Sequence, residues 1–199
     1  MEDQPPAQEV KWSYGKELTR DQTAQMHRLV SDYTHHFAFE MHDLGRHTTH
    51  QMRLDLIDNK PVFCPRHCQS LLEWDIIDSK VEELAKFGLV EPATGSYAAA
   101  TVLPVKKDAD GNYTDRKMCG DYRMLNLKTE QDRYLMPIPE DIFDMIEGCR
   151  YFTIMDMRQG FNQIEMRLED KQNTAFWASN RRWQWTVMPF GMKNAGACF

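Results

Sequence analysis

Asp156 closes an apolar, β-prone run, Tyr151-Phe152-Thr153-Ile154-Met155, and is followed by a turn with Gly160 and then by Phe161. Such a run delivers one carboxylate to the end of a strand. A hard oxygen ligand there suits a divalent cation, and the aromatic after the turn supplies a flat ring to line a small pocket beside it. The bland alternatives are a turn cap ahead of Arg158 for Asp156 and an ordinary core aromatic for Phe161.

Other blocks share this chemical flavour. Val105-Lys106-Lys107-Asp108 precedes Lys117-Met118-Cys119-Gly120-Asp121-Tyr122-Arg123-Met124-Leu125-Asn126. Asp132-Arg133-Tyr134-Leu135-Met136-Pro137-Ile138-Pro139 comes next, then the Asp156 block. Lys171-Gln172-Asn173-Thr174-Ala175-Phe176 follows, and last Val187-Met188-Pro189-Phe190-Gly191-Met192-Lys193-Asn194-Ala195. In this order, over residues 50–199, the blocks resemble reverse transcriptases, in particular those of gypsy-type long-terminal-repeat retrotransposons.

The resemblance implies an α+β chain with the right-hand polymerase fold, fingers plus an incomplete palm. It implies template-directed nucleotidyl transfer to a primer 3′ hydroxyl by two Mg²⁺ ions about 4 Å apart. Asp156 matches the first metal-binding carboxylate, with the Met157 carbonyl as a secondary ligand. Phe161 matches the ring beneath the incoming sugar, which selects deoxynucleotides. Lys106 and Lys117 match contacts to the triphosphate, where a cation offsets charge on the leaving group; a solvated hairpin edge is the alternative for both. Phe190 and Gly191 match the block lining the nucleotide pocket, while Asp121 and Arg123 are expected to hold the fingers together.

Departures from the pattern are visible. Lys117 stands where Arg is usual, and a point charge lacks Arg's bidentate fork. Gly120 replaces a β-branched residue, Gly196 a proline and Cys198 a threonine. The Tyr-x-Asp-Asp motif that carries the family's other two carboxylates does not occur in the 199 residues. The resemblance therefore implies a fragment of a retrotransposon polyprotein, with a template-primer, deoxynucleoside triphosphates and the rest of the polyprotein as partners. It implies that the isolated chain neither holds the two ions nor polymerises. The alternative is a non-enzymatic, retroelement-derived remnant with weak nucleic-acid binding or an interaction role.

The elements that must position these residues can be read from pattern. A helix is expected over 18–39, with Met26, Leu29, Val30 and Tyr33 on one face, and another over 73–87 stopped by Gly88. Residues 99–106 and 117–122 read as paired strands around an Asp110-Gly111 turn. Residues 139–146 read as a short helix with Pro at its start and Ile142, Phe143 and Ile146 inward. Strands are expected at 151–155 (in the palm sheet), 162–168, 174–178 and 183–188, the last with Trp183, Trp185 and Val187 on one face. One strand edge of the core should lack a partner. Residues 1–48 read as a disordered start and an acidic, His-containing connector, and 49–199 as the polymerase domain.

Composition bounds the rest. The chain is 42% hydrophobic and 27% charged, ordinary for a globular protein. Its net charge of −6 lies in the first half: residues 1–100 carry 10 Lys and Arg against 16 Asp and Glu, and the remainder balances. Local basic patches rather than total charge govern nucleic-acid affinity, so the acidity does not conflict with a polymerase. Seven histidines fall between His27 and His67 without a zinc spacing. Five scattered cysteines fit free thiols. No apolar run approaches the ~20 residues of a membrane span and no signal-peptide pattern opens the chain, so an intracellular, non-membrane protein is expected.

Overall fold

The computed structural model describes residues 12–105 and 116–199. The chain divides into two compact units, Met1–Asp43 and Leu44–Phe199. In the first, α1 (Arg20–Asp32) starts in a capping box: the Thr19 hydroxyl accepts from the Gln22 amide, and the Gln22 side chain accepts from the Thr19 amide at 2.9 Å. The helix is shorter than its sequence pattern. The Thr34 hydroxyl donates to the carbonyls of Val30 and Ser31, and the backbone tightens into a 3₁₀ turn at Thr34–His36. No residue of α1 is buried, and Leu29 and Tyr33 are half exposed.

The second unit carries the polymerase-like blocks. Strand β1 (His47–Met52) pairs in parallel with β5 (Ile164–Met166), whose other side bridges Val187. Strands β2 (Val90–Pro92), β7 (Arg181–Trp185) and β6 (Phe176–Ala178) form an antiparallel sheet in the order β2-β7-β6. β3 (Ala100–Val102) and β4 (Cys119–Asp121) form the expected antiparallel pair; the Asp110-Gly111 turn lies outside the described residues. Helix α2 (Leu71–Lys86) begins two residues before its sequence pattern because Ser70 and Glu73 form a capping box. It buries Ile77 and Val81. The core of this unit runs through Ile77, Leu89, Phe176, Val187 and Met188, each at most 1% exposed. Trp183, Trp185 and Val187 point into it as expected. Burying each such side chain contributes roughly 1.5–3 kcal/mol.

Two expectations fail together. Residues 151–155 carry no regular secondary structure, although their sequence is β-prone. A strand needs a neighbour to take its amides and carbonyls, and among the described residues none pairs with this run. Helix α4 (Pro139–Ile146) has the expected bounds and its proline in the first turn. Its apolar face is open: Ile142 is 46% exposed, Phe143 65% and Ile146 40%. The apolar pattern is genuine in both segments, but nothing in the described chain covers it. Strands β5 and β6 are shorter than the patterns over 162–168 and 174–178, because 3₁₀ turns occupy Gly160–Gln163 and Lys171–Thr174, and β7 runs over Arg181–Trp185 instead of 183–188.

Candidate nucleotide site

Three blocks distant in sequence meet at Phe190. Its ring centroid lies 5.3 Å from that of Phe161, and the Lys117 ammonium sits 3.6 Å above its face. Phe199 packs edge-on against Phe161, with ring centroids 5.5 Å apart. Lys117 is exposed, so the arrangement offers a cation at the rim of an aromatic cluster. Phe161, Phe190 and Lys117 are therefore brought together, while Lys106 lies outside the described residues.

Gly191, next to Phe190, has φ of 91°, a left-handed conformation that favours glycine. The loop it belongs to is held by Asn126. The Asn126 carboxamide nitrogen donates to the Gly191 carbonyl at 2.8 Å, and its oxygen accepts from the Lys193 amide at 2.9 Å. The Lys193 ammonium donates to the Thr129 carbonyl, and Asn194 joins the Glu130 carbonyl to the Asp132 amide. These contacts fasten the stretch after β4 to the Phe190 block. The sequence pattern gives Asn126 no role, and it gives no sign of α3 (Arg123–Lys128), the short helix that carries it.

Gly120 has a reason of its own. A Cβ there would lie 2.6 Å from the Tyr122 ring. Tyr122 is 2% exposed and its hydroxyl donates to the Thr174 carbonyl at 2.8 Å. Burial drives the Tyr122 pKa well above the usual tyrosine range, so the hydroxyl stays a donor. Glycine in β4 is thus a packing solution rather than only a weakening of the strand. Asp121 and Arg123 form a bidentate pair, with Nε to Oδ1 at 2.8 Å and a terminal nitrogen to Oδ2 at 2.6 Å. That hydrogen-bonded guanidinium holds the Asp121 carboxyl below the usual carboxylate range. The pair closes over the start of α3, and Arg123 otherwise faces solvent.

Asp156 and Met157 are exposed at the end of the irregular run. The turn that follows takes its left-handed residue at Gln159, with φ of 46°, rather than at Gly160. Gly160 is required by close approach: a Cβ there would meet the Phe199 ring at 2.9 Å. Among the described residues, no group of three or more His, Cys, Asp or Glu is placed to hold a metal ion. One exposed carboxylate does not fit a two-cation set, whose mutual repulsion needs several anionic ligands. The cysteines are free thiols, and no helix among the described residues is long and apolar enough to cross a membrane.

Residues 105–199 match the family described as reverse transcriptase (RNA-dependent DNA polymerase). The retrovirus-related Pol polyproteins of the Drosophila melanogaster transposons 412 and 297 are 29% and 31% identical to the chain, over 88% and 92% of it. That of transposon gypsy is 31% identical over 72% of the chain. The chain spans 14–17% of the length of these relatives. Among solved structures, the native prototype foamy virus protease-reverse transcriptase superposes with a TM-score of 0.78 at 21% identity, covering 92% of this chain and 24% of that one. A foamy viral protease-reverse transcriptase in complex with RNA/DNA hybrid gives 0.71 at 15%, covering 90% and 24%.

Motif order, fold and relatives together identify residues 105–199 as a reverse transcriptase family segment, in a chain folded as fingers with part of a palm. Within that family it is similar to the corresponding 14–17% of the Pol polyproteins of gypsy-type retrotransposons.

Proposed function

We propose that this chain supplies the fingers and the first palm carboxylate of an RNA-directed DNA polymerase that extends a primer on an RNA or DNA template. The observation that carries the reading is the convergence of Lys117, Phe161 and Phe190. In this reading Phe190 and Gly191 line the nucleotide pocket, Phe161 lies beneath the sugar, and Lys117, with Lys106, meets the triphosphate. Asp156 and the Met157 carbonyl contribute to a Mg²⁺ site, where bound ions would activate the primer hydroxyl and hold the triphosphate. The described residues alone do not fit that pair of ions, so in this reading the chain orients nucleotide and template but does not by itself transfer a nucleotidyl group.

A second reading, a retroelement-derived remnant that binds nucleic acid without catalysis, is favoured by the exposed, unaccompanied Asp156. Fluorescence anisotropy with an RNA/DNA primer-template tests the shared part. Binding that weakens linearly in log salt is expected, and no binding at low salt would remove both readings. Primer extension with Mg²⁺ separates enzyme from isolated chain: none is expected, and extension by the pure 199 residues would refute the assignment of catalysis to a larger assembly.

A further inference from the structure

Asp170 is the one buried carboxylate among the described residues, 9% exposed, and no cation lies within salt-bridge distance of it. Its oxygens accept from the Leu54 amide at 3.0 Å and from the Asn173 carboxamide at 3.3 Å. The neighbouring cations are engaged elsewhere: Arg167 with Glu169, Lys171 with Glu91, and Lys128 with Asp58. A buried anion without a counter-ion is costly, and burial pushes the Asp170 carboxyl pKa up. The polymerase reading gives this group nothing to do.

Asp170 lines an open cavity of about 340 Å³, within the ~300–1,000 Å³ range of small-molecule sites. Tyr97 and Asn173 line the same cavity and are 7% and 8% exposed. The Tyr97 hydroxyl makes no hydrogen bond to the described residues and yet is not sealed from solvent. Asn173 turns its nitrogen to the carboxylate, which only accepts, so its own oxygen is free to accept in turn. Three buried side chains thus present oxygen acceptors to one space. Leu54, Leu56 and Pro61 form an apolar wall beside them.

We propose that this cavity binds a primary alkylammonium ion, its –NH₃⁺ head held by Asp170, Tyr97 and Asn173 and its stem lying along Leu54, Leu56 and Pro61. An ammonium carries three donors about a point charge, one for each acceptor. A guanidinium would call for a bidentate carboxylate, but both Asp170 oxygens already accept a hydrogen bond. A divalent metal ion is disfavoured, because among the described residues no group of three or more His, Cys, Asp or Glu is placed to hold one. An anion would meet Asp170 and the exposed Glu169 at the rim. None of these residues belongs to the Phe190 cluster, and the site does not depend on polymerase activity. A free amine and a lysine side chain share this chemistry; bulk beyond the stem separates them.

Titration of the whole chain with n-butylammonium chloride at constant ionic strength, followed by the amide NMR signal of Leu54, tests the site. That amide donates to Asp170 and should shift saturably. The alcohol n-butanol, which has the stem without the charge, should leave it unmoved. Asp170→Asn should weaken binding at least about tenfold, since a hydrogen bond to a charged group is lost. Tyr97→Phe should weaken it about threefold to tenfold with an unchanged melt, because the hydroxyl has no partner in the free chain to lose. Nα-acetyl-lysine methylamide separates the sources: binding at least as tight as that of butylammonium identifies a lysine side chain as the ligand, and weaker binding a free amine. A Leu54 signal that does not saturate with butylammonium would overturn the proposal. So would equal affinity for tetramethylammonium, which has no donor, or Asp170→Asn and Tyr97→Phe chains that bind like the natural one.

Discussion

Asn126 reaches across 65 residues of sequence to donate a hydrogen bond to the Gly191 carbonyl, while its own oxygen accepts from the Lys193 amide. One carboxamide thus satisfies both an acceptor and a donor of a loop whose glycine adopts a left-handed backbone. That loop carries Phe190, so the position of the aromatic cluster depends on a side chain from outside it.

Asn126→Ala is expected to cost about 1–3 kcal/mol, the sum of two net hydrogen bonds at a partly buried position. Asn126→Asp should keep the Lys193 contact but set an anion against the Gly191 carbonyl, so it should not rescue. Thermal melts of both variants check this. A melt for Asn126→Ala within error of the natural chain would show that the loop holds itself.

Gly120→Val restores the branched residue usual in the family and should nevertheless destabilise this chain by about 1–3 kcal/mol, as overpacking does. The added Cβ would fall 2.6 Å from a Tyr122 ring that burial and the Thr174 hydrogen bond hold in place. Shrinking the ring should relieve the clash, so Gly120→Val with Tyr122→Leu is expected to be less than additive. Denaturant unfolding of the two single variants and the double variant measures the coupling, and strict additivity would exclude a direct contact.

Much of this arrangement was legible in the residues, and the failures have a common cause. Helix α2 and the β3–β4 pair could be read because their signals are local: apolar spacing stopped by Gly88 for one, and a turn dipeptide between two short runs for the other. The convergence of Lys117, Phe161 and Phe190 followed from motif order, since spacing alone says nothing about which distant blocks meet. The strand at 151–155 and the inward face of α4 were misread because period and propensity report what a segment is suited to, not whether a partner is present. Gly120 shows in the sequence only as a departure from the family pattern, because its value lies in a ring two residues later that folds back over it.

Acid should act on the fold in two opposed ways. Glu73 is held below the usual carboxylate range by its hydrogen bonds from Ser70, Asp121 by Arg123, and Asp58 by Lys128. A depressed folded-state pKa means stability that is present above about pH 4 and lost as pH falls through the folded value. Asp170 behaves in the opposite sense. Its pKa is raised, chiefly by burial, although its carboxylate accepts from the Leu54 amide at 3.0 Å. The stability linked to Asp170 is therefore full below about pH 4 and lost as pH rises through its folded value. Asp170→Asn should be more favourable relative to the natural chain at pH 7 than at pH 4. Urea midpoints at the two pH values test the sign, and a difference that grows toward acid pH would contradict it.

Lys117 sits where the family carries Arg, and its ammonium rests 3.6 Å above the Phe190 ring. At an exposed site a cation–π contact contributes about 0.5–1 kcal/mol, too little to explain the placement of a charge by stability alone. Lys117→Met keeps the apolar stem and should leave the melt nearly unchanged while lowering affinity for a deoxynucleoside triphosphate several-fold. Lys117→Arg keeps the charge over the ring and adds a fork that can grip two phosphate oxygens at once. It should bind triphosphate more tightly than the natural chain. Equilibrium titration of one triphosphate against the three proteins orders them Arg, Lys, Met if Lys117 meets phosphate. Equal affinities would mean that the lysine only covers the edge of the Phe190 ring, and the triphosphate contact would have to be sought elsewhere in the fingers.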